Sequence, residues 1–192
     1  MKALQAALLL TLVVLGQSCT TILVETSGGD GIQEDPGKRT AGAVVEDHSI
    51  ETKIKVNLKS LAPEFKKAHF DVISHNGVVL LVGQVQSEAL KNQANQIAAE
   101  ASTKVKRIHN ELEVSGKTSL LTRSGDSWIA TKVRAQLLAD DRVPSDQVRV
   151  VAENGSVYLM GMVNQQQGDD AAALVRNISG VTRVVKVFEY IN

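Results

Sequence analysis

The sequence predicts an α+β protein built from two tandem αββαβ domains, each a small mixed three-stranded sheet with two helices on one face. The first observation is a repeat. Thr52-Lys53-Ile54-Lys55 with Leu58 aligns with Thr131-Lys132-Val133-Arg134 with Leu137 at an offset of 79 residues. Asn76-Gly77 through Gly83 aligns with Asn154-Gly155 through Gly161 at an offset of 78, and Val105-Lys106-Arg107-Ile108 with Val181-Thr182-Arg183-Val184 at 76. The second observation is that the hydrophobic period switches in the same order within each copy. The third is an Asn-Gly pair at the same place in both copies, the signal for a two-residue hairpin turn with positive φ at both positions.

Taken in order, each copy opens on apolar residues four apart, Ile50, Ile54 and Leu58 or Ile129, Val133 and Leu137, which predicts an amphipathic helix. Asp47 or Ser49, and Asp126 or Ser127, are the expected N-caps. Alternation at Phe70 and Val72, and at Val148 and Val150, gives a first strand, and the Asn-Gly turn leads into a second that ends at Gly83 or Gly161. A second helix follows over about 87–101 and 165–177, then a last strand over about 105–114 and 181–191. A helical crossover makes that last strand parallel to the second. Domains are therefore expected at 47–114 and 126–192, joined by a Gly-, Ser- and Thr-rich linker at 115–125.

Composition excludes several classes. Of 192 residues, 43% are hydrophobic and 22% charged, so global disorder is not expected. Basic and acidic residues number 21 each, and each domain region (47–114 and 115–192) carries nine basic against eight acidic. That balance, with no GxxG clamp at a helix junction, argues against nucleic acid as a partner. The four histidines (His48, His69, His75, His109) fall in the first copy without metal-ligand spacing, and His75, just before the turn, reads as an exposed loop residue. Asp140-Asp141 and Asp169-Asp170 read as solvated acids near helix ends. No catalytic residue, metal site or cofactor is expected, and so no enzyme.

The N-terminal region is informative. Lys2 precedes an apolar run over 3–15, too short to span a bilayer, and Gly16-Gln17-Ser18 precedes Cys19, the only cysteine. This stretch resembles a bacterial lipoprotein signal peptide over 1–18, although Gly16 stands where that pattern has Leu. The resemblance implies a diacylated Cys19 and, with Thr20 after it, outer-membrane sorting. An ordinary secretory peptide with an incidental cysteine is the other reading. Residues 19–46, rich in Gly and polar side chains, are expected to form a flexible tether with five acids against Lys38 and Arg39.

With the repeat, the hairpins and the strands closing on Gly83 and Gly161, the chain resembles the BON domain, and two copies behind such a signal resemble the dual-BON outer-membrane lipoproteins, a division- and outer-membrane-stress-associated lipid-binding family. The resemblance implies a lipid-anchored (palmitate-bearing) protein on the periplasmic face of the bacterial outer membrane that binds anionic phospholipid and supports membrane integrity. It also implicates the first helix of the second domain in lipid contact. On that helix, with Ile129 at 0°, the core face centres near 40° and Trp128 falls at about −100°. Its counterpart in the first copy is Ser49, so the shared fold does not require a tryptophan there. Such a residue suits either a membrane–water interface or the seam between domains. The expected lipid-contact set is Ser127, Trp128, Lys132, Arg134 and Ala135. A protein-binding adaptor for envelope or cell-wall machinery is the rival class.

Overall fold

The computed structural model describes residues 35–192; the signal peptide, Cys19 and most of the tether lie outside the described residues. In chain order the elements are α1 (Ala41–Leu61), β1 (His69–His75), β2 (Val78–Val85), α2 (Glu88–Glu100) and β3 (Arg107–Val114), then α3 (Leu120–Leu138), β4 (Val148–Glu153), β5 (Ser156–Val163), α4 (Gln165–Arg176) and β6 (Arg183–Tyr190). Short 3-10 turns at Pro63–Lys66 and Ser145–Gln147 precede β1 and β4. Each sheet has the order first–second–last, antiparallel then parallel, as the crossover requires. The αββαβ order is therefore present twice.

Both first helices begin earlier than expected. α1 starts at Ala41, inside the expected tether, where Thr40 Oγ1 accepts from the Ala43 N–H at 3.1 Å. α3 starts at Leu120, inside the expected linker, capped by Ser119. Asp47 and Asp126 are consequently not N-caps but buried residues two turns inside their helices. Ser49 and Ser127 are likewise internal. The two aspartates serve the hairpins instead. Asp47 accepts from the Asn76 and Gly77 N–H groups at 2.8 and 2.9 Å, and Asp126 from Asn154 and Gly155 at 2.9 and 2.8 Å. All four turn residues have positive φ, as the Asn-Gly signal predicts. A carboxylate from the preceding helix thus holds each turn against its own domain.

Strands β2 and β5 are buried along their whole length. Val79, Leu81 and Val85 face α1 and α2, while Val78, Leu80 and Val82 face the other domain, where they join Ile73, Tyr158, Met160 and Val187 in a third apolar cluster. Val157, Leu159 and Val163 face α3 and α4. The two sheets therefore pack face to face with the helices outside, which is why these strands read as continuous apolar runs. Polar contacts around the seam are reciprocal: Asn76 Nδ2 donates to Glu189 at 2.7 Å, and Asn154 Nδ2 to Glu113 at 3.2 Å.

This packing corrects the expectation for His75. It ends β1, is buried, and neither ring nitrogen has a hydrogen-bond partner. Desolvation, aided by Arg39 and Arg149 and opposed by Asp47 and Glu189, pushes its pKa down to about 4. The acid pairs are engaged by cations: Arg142 holds Asp140 down to about 2, and Asp169 lies below the usual carboxylate range beside Lys186, while Asp140 and Asp170 are only partly exposed.

Candidate functional site

On α3 the buried residues Asp126, Ile129, Ala130, Val133 and Leu137 form the inward face. The opposite face is apolar at several points. Leu120, Leu121, Trp128 and Leu138 are exposed, Trp128 by 64%. On the same angular scale Leu121 and Trp128 fall at about −80° and −100°, Ala135 at about −120°, and Leu120 and Leu138 at about 180°. They form one outward band, with Trp128 at mid-helix and a leucine near each end, some 27 Å apart along the axis. At 64% exposure Trp128 does not pack in the seam, which is formed by the two sheets on the far side of the domain.

Cations flank the band. Lys132, at about −60°, donates its Nζ to the Ser179 carbonyl, which fixes it beside the loop before β6. Arg134, at about 140°, donates from Nη2 to the Val150 carbonyl at 3.0 Å on the free edge of β4. Ser127 Oγ donates to the Arg123 carbonyl at 3.2 Å and Thr131 Oγ1 to the Ser127 carbonyl at 2.9 Å; Ser127, at about 160°, lies toward Arg134, and Thr131, at about −160°, within the band. Of the expected set, Trp128 and Ala135 sit on the exposed band, and Lys132 lies to one side of it. Ser127 and Arg134 lie to the other.

Leu120, Leu121, Leu138 and Arg123 were not in the expected set. The first two, with Arg123, were assigned to the linker. Extending the helical wheel back through Gly125 to Ser119 brings them onto α3 and reveals the band. Among the described residues, no group of His, Cys, Asp or Glu is placed to hold a metal ion, and no helix is long and apolar enough to cross a membrane.

Two domains of this order, packed sheet to sheet, with one helix presenting an exposed apolar band between cations, define a tandem α+β module. Comparison with known proteins gives the family. The BON domain matches twice, over residues 46–116 and 125–192. The chain is 35% identical over 190 residues to the outer membrane lipoprotein DolP of Haemophilus influenzae, covering 97% of this chain and 95% of that protein. It is 37% identical over 153 residues to the 21 kDa hemolysin of Actinobacillus pleuropneumoniae, covering 80% and 78% of the two chains. It is also 29% identical over 187 residues to osmotically-inducible protein Y of Escherichia coli, covering 95% and 92%. The chain belongs to the dual-BON outer-membrane lipoprotein family.

Proposed function

We propose that the protein is a non-enzymatic, lipid-anchored module in which Cys19 carries the acyl chains and α3 of the second domain docks on anionic phospholipid, supporting envelope integrity. The observation that carries this reading is the exposed band of Leu120, Leu121, Trp128 and Leu138 between cations on one helix. Large side chains contribute about 1.5–3 kcal/mol each when fully buried, and a basic residue near an anionic surface about 1 kcal/mol. Partial insertion of four such groups therefore gives a few kcal/mol. That is weak alone but sufficient beside a tether that holds the effective concentration high.

The adaptor reading through a sheet edge has less support. The outward groups of β1 are occupied: Glu51 accepts from the Ser74 N–H at 2.9 Å, and Arg149 Nη1 donates to the Ser74 carbonyl at 3.2 Å. On β4, Arg134 occupies the Val150 carbonyl. Side chains that satisfy an edge in this way discourage strand addition.

The test uses the acylated full chain in phosphatidylcholine vesicles with and without phosphatidylglycerol. Trp128 is the only tryptophan, so its emission reports this surface alone. Emission is expected to shift to the blue only with phosphatidylglycerol, and Leu121→Ser is expected to reduce the shift. Trp128→Ala, at a surface position, should change folding stability by less than about 0.5 kcal/mol. An unchanged spectrum in both vesicles, with retention of specific envelope proteins in lipid-free pull-downs, would transfer the function to the adaptor class.

A further inference from the structure

The seam between the two sheets is built differently on its two sides. Residues in register on neighbouring strands share a face. His69 and His75 of β1 therefore accompany Ile73 on the side that meets the second domain, and His109 of β3, paired with Leu80, joins them. Three of the four histidines thus lie at the joint. Their counterparts in the second copy are Gln147, Glu153 and Val185, so no imidazole faces them from the other side.

His75 is the most confined of the three, 7% exposed and without a partner for either ring nitrogen. Arg39 and Asp47 face it from the start of the first domain, Arg149 from β4 and Glu189 from β6. The acids among them are committed elsewhere. Asp47 takes Arg39 at 2.7 Å and holds the Asn76-Gly77 turn, while Glu189 takes Lys106 at 3.1 Å and Asn76 at 2.7 Å. Arg149 pairs with Glu51 at 3.2 Å. A cavity of about 240 Å³ adjoins the ring, closed by Gly37, Lys38, Arg39 and Val44 on one side and by Asp146 and Gln147 of the second domain on the other. Lys38 bridges to Asp146 at 2.9 Å, and buried Gly37 lies against Gln147 with no room for a side chain. The chain entering α1 is therefore clipped onto the second domain beside His75. His109 repeats the situation more mildly. Its Nε2 is buried without a partner, its charged neighbours are Arg107 and Glu111, and Glu111 pairs with Arg183 at 3.0 Å. His69 differs in having a carboxylate, Glu153, at 3.4 Å.

A protonated His75 would carry a charge and two N–H donors into a place that offers them no acceptor, which is costly. Shifting the ring within its own domain gives little relief, because Ser74 and Asn76 on either side are held by Glu51 and Asp47. Moving the second domain away removes Arg149 and admits water. We propose that the seam is an acid-operated joint: proton uptake by His75, supported by His109, releases the clip at Gly37 and Lys38 and parts the two sheets while each domain stays folded. Each domain keeps its own core between sheet and helices, so parting uncovers only the third cluster, Ile73, Leu80, Val82, Tyr158, Met160 and Val187 among it. The carboxylates are not the trigger, since Asp47 and Asp146 both lie below their ordinary 3.8 and stay ionised at pH 5.

Two methionines supply the test. Met160 and Met162 are buried on the seam strand β5, Met162 Sδ meets Asn76 Nδ2 at 3.1 Å, and the chain has no other methionine but Met1. Hydrogen peroxide oxidises an exposed thioether to the sulfoxide, so the oxidation rate of these two in the full chain, read by mass spectrometry, counts openings. With His75 at about 4 when closed and at its ordinary 6.5 when open, the rate should rise about twentyfold from pH 7 to pH 5. His75→Gln should remove most of that rise. In urea too dilute to unfold the protein, the rate should climb with a slope well below that of global unfolding, because little surface is exposed. A wild-type rate that is flat between pH 7 and pH 5 overturns the joint, and this arm stands even if the variant folds poorly. An equal rise in His75→Gln removes His75 as the trigger. A urea slope equal to that of global unfolding overturns domain parting, since protonation would then unfold a domain.

Discussion

Removing the Asp126 carboxylate tests the device that joins each first helix to its hairpin. Asp126 is 6% exposed and receives two backbone N–H groups, from Asn154 at 2.9 Å and Gly155 at 2.8 Å. Hydrogen bonds to a charged group contribute about 1.5–3 kcal/mol each. Asn154 is exposed and Gly155 half-buried, so water can recover part of that once the carboxylate is gone. Asp126→Ala should therefore cost about 2–3 kcal/mol, and Asp126→Asn, which keeps one acceptor, roughly half as much. In urea denaturation followed by circular dichroism, a slope of about 2 kcal/mol/M converts the alanine loss to a midpoint shift of about 1–1.5 M. Asp141→Ala, an exposed acid on the same domain, supplies the control and should stay within about 0.5 kcal/mol of wild type. If Asp126→Ala matches that control, the carboxylate does not hold the hairpin and the reasoning fails.

Three further outcomes are expected. His75 is neutral when folded, with a pKa depressed to about 4 from an ordinary 6.5, so the unfolded chain binds the extra proton and stability falls as pH drops from about 6.5 to 4; unfolding free energies of His75→Gln should lack that slope. Asp47, where desolvation is outweighed by hydrogen bonds from Ser74, Gly77, Arg39 and Asn76, lies below its ordinary 3.8, so its contribution is present above that pH and is lost as pH falls through the folded value, a separate phase at lower pH. At Gly83, φ is 119° and an added Cβ would stand 2.3 Å from the His69 carbonyl, so Gly83→Ala should lower the melting temperature sharply; Gly125→Ala, in open space on α3, should raise stability by about 0.5–1 kcal/mol. Cys19→Ala should move the protein from the detergent phase to the aqueous phase in Triton X-114 partitioning, and equal partitioning of the two forms would remove the acyl anchor.

The fold was legible because its determinants are local and stated twice. Ile50, Ile54 and Leu58, their counterparts in the second copy, and the Asn-Gly turns each report a structure within a few residues. The helix starts were not legible: the stretches before Asp47 and Asp126 are rich in Gly and polar residues, and α3 forms through Gly125 despite its poor helix propensity. The role of Asp47 and Asp126 was hidden for another reason. An aspartate near a helix start reads as a cap, and the amides it serves lie 28 to 30 residues downstream. His75 was misread because the residues around it, Arg39 and Val44 before the strand and Asp146 and Gln147 in the second domain, are far from it in sequence. The apolar run Val78–Val82 was the trace of that packing, since a strand with one wet face would alternate.

The duplication itself supplies the control for the candidate site. At an offset of 79 the inward residues keep their character: Asp47 and Asp126, Ile50 and Ile129, Ile54 and Val133, Leu58 and Leu137. The outward residues do not. Ala41, Gly42, Ser49 and Lys59 of α1 stand where α3 has Leu120, Leu121, Trp128 and Leu138. Both helices hold their own Asn-Gly turn through the same aspartate, so that shared contact does not account for the difference. α1 exposes two valines on its outward side, Val45 and Val56, where α3 has Ser124 and Ala135, so the copies differ in the tryptophan and the leucines rather than in apolar exposure as such. The arginines beside the band fit an anionic surface better than a neutral one, and the domain that presents the band is the one farther along the chain from Cys19. A swap of these four residues between α1 and α3 should therefore carry vesicle docking to the first domain without altering the fold of either. Docking that stayed with the second domain after the swap would place the determinant outside the band.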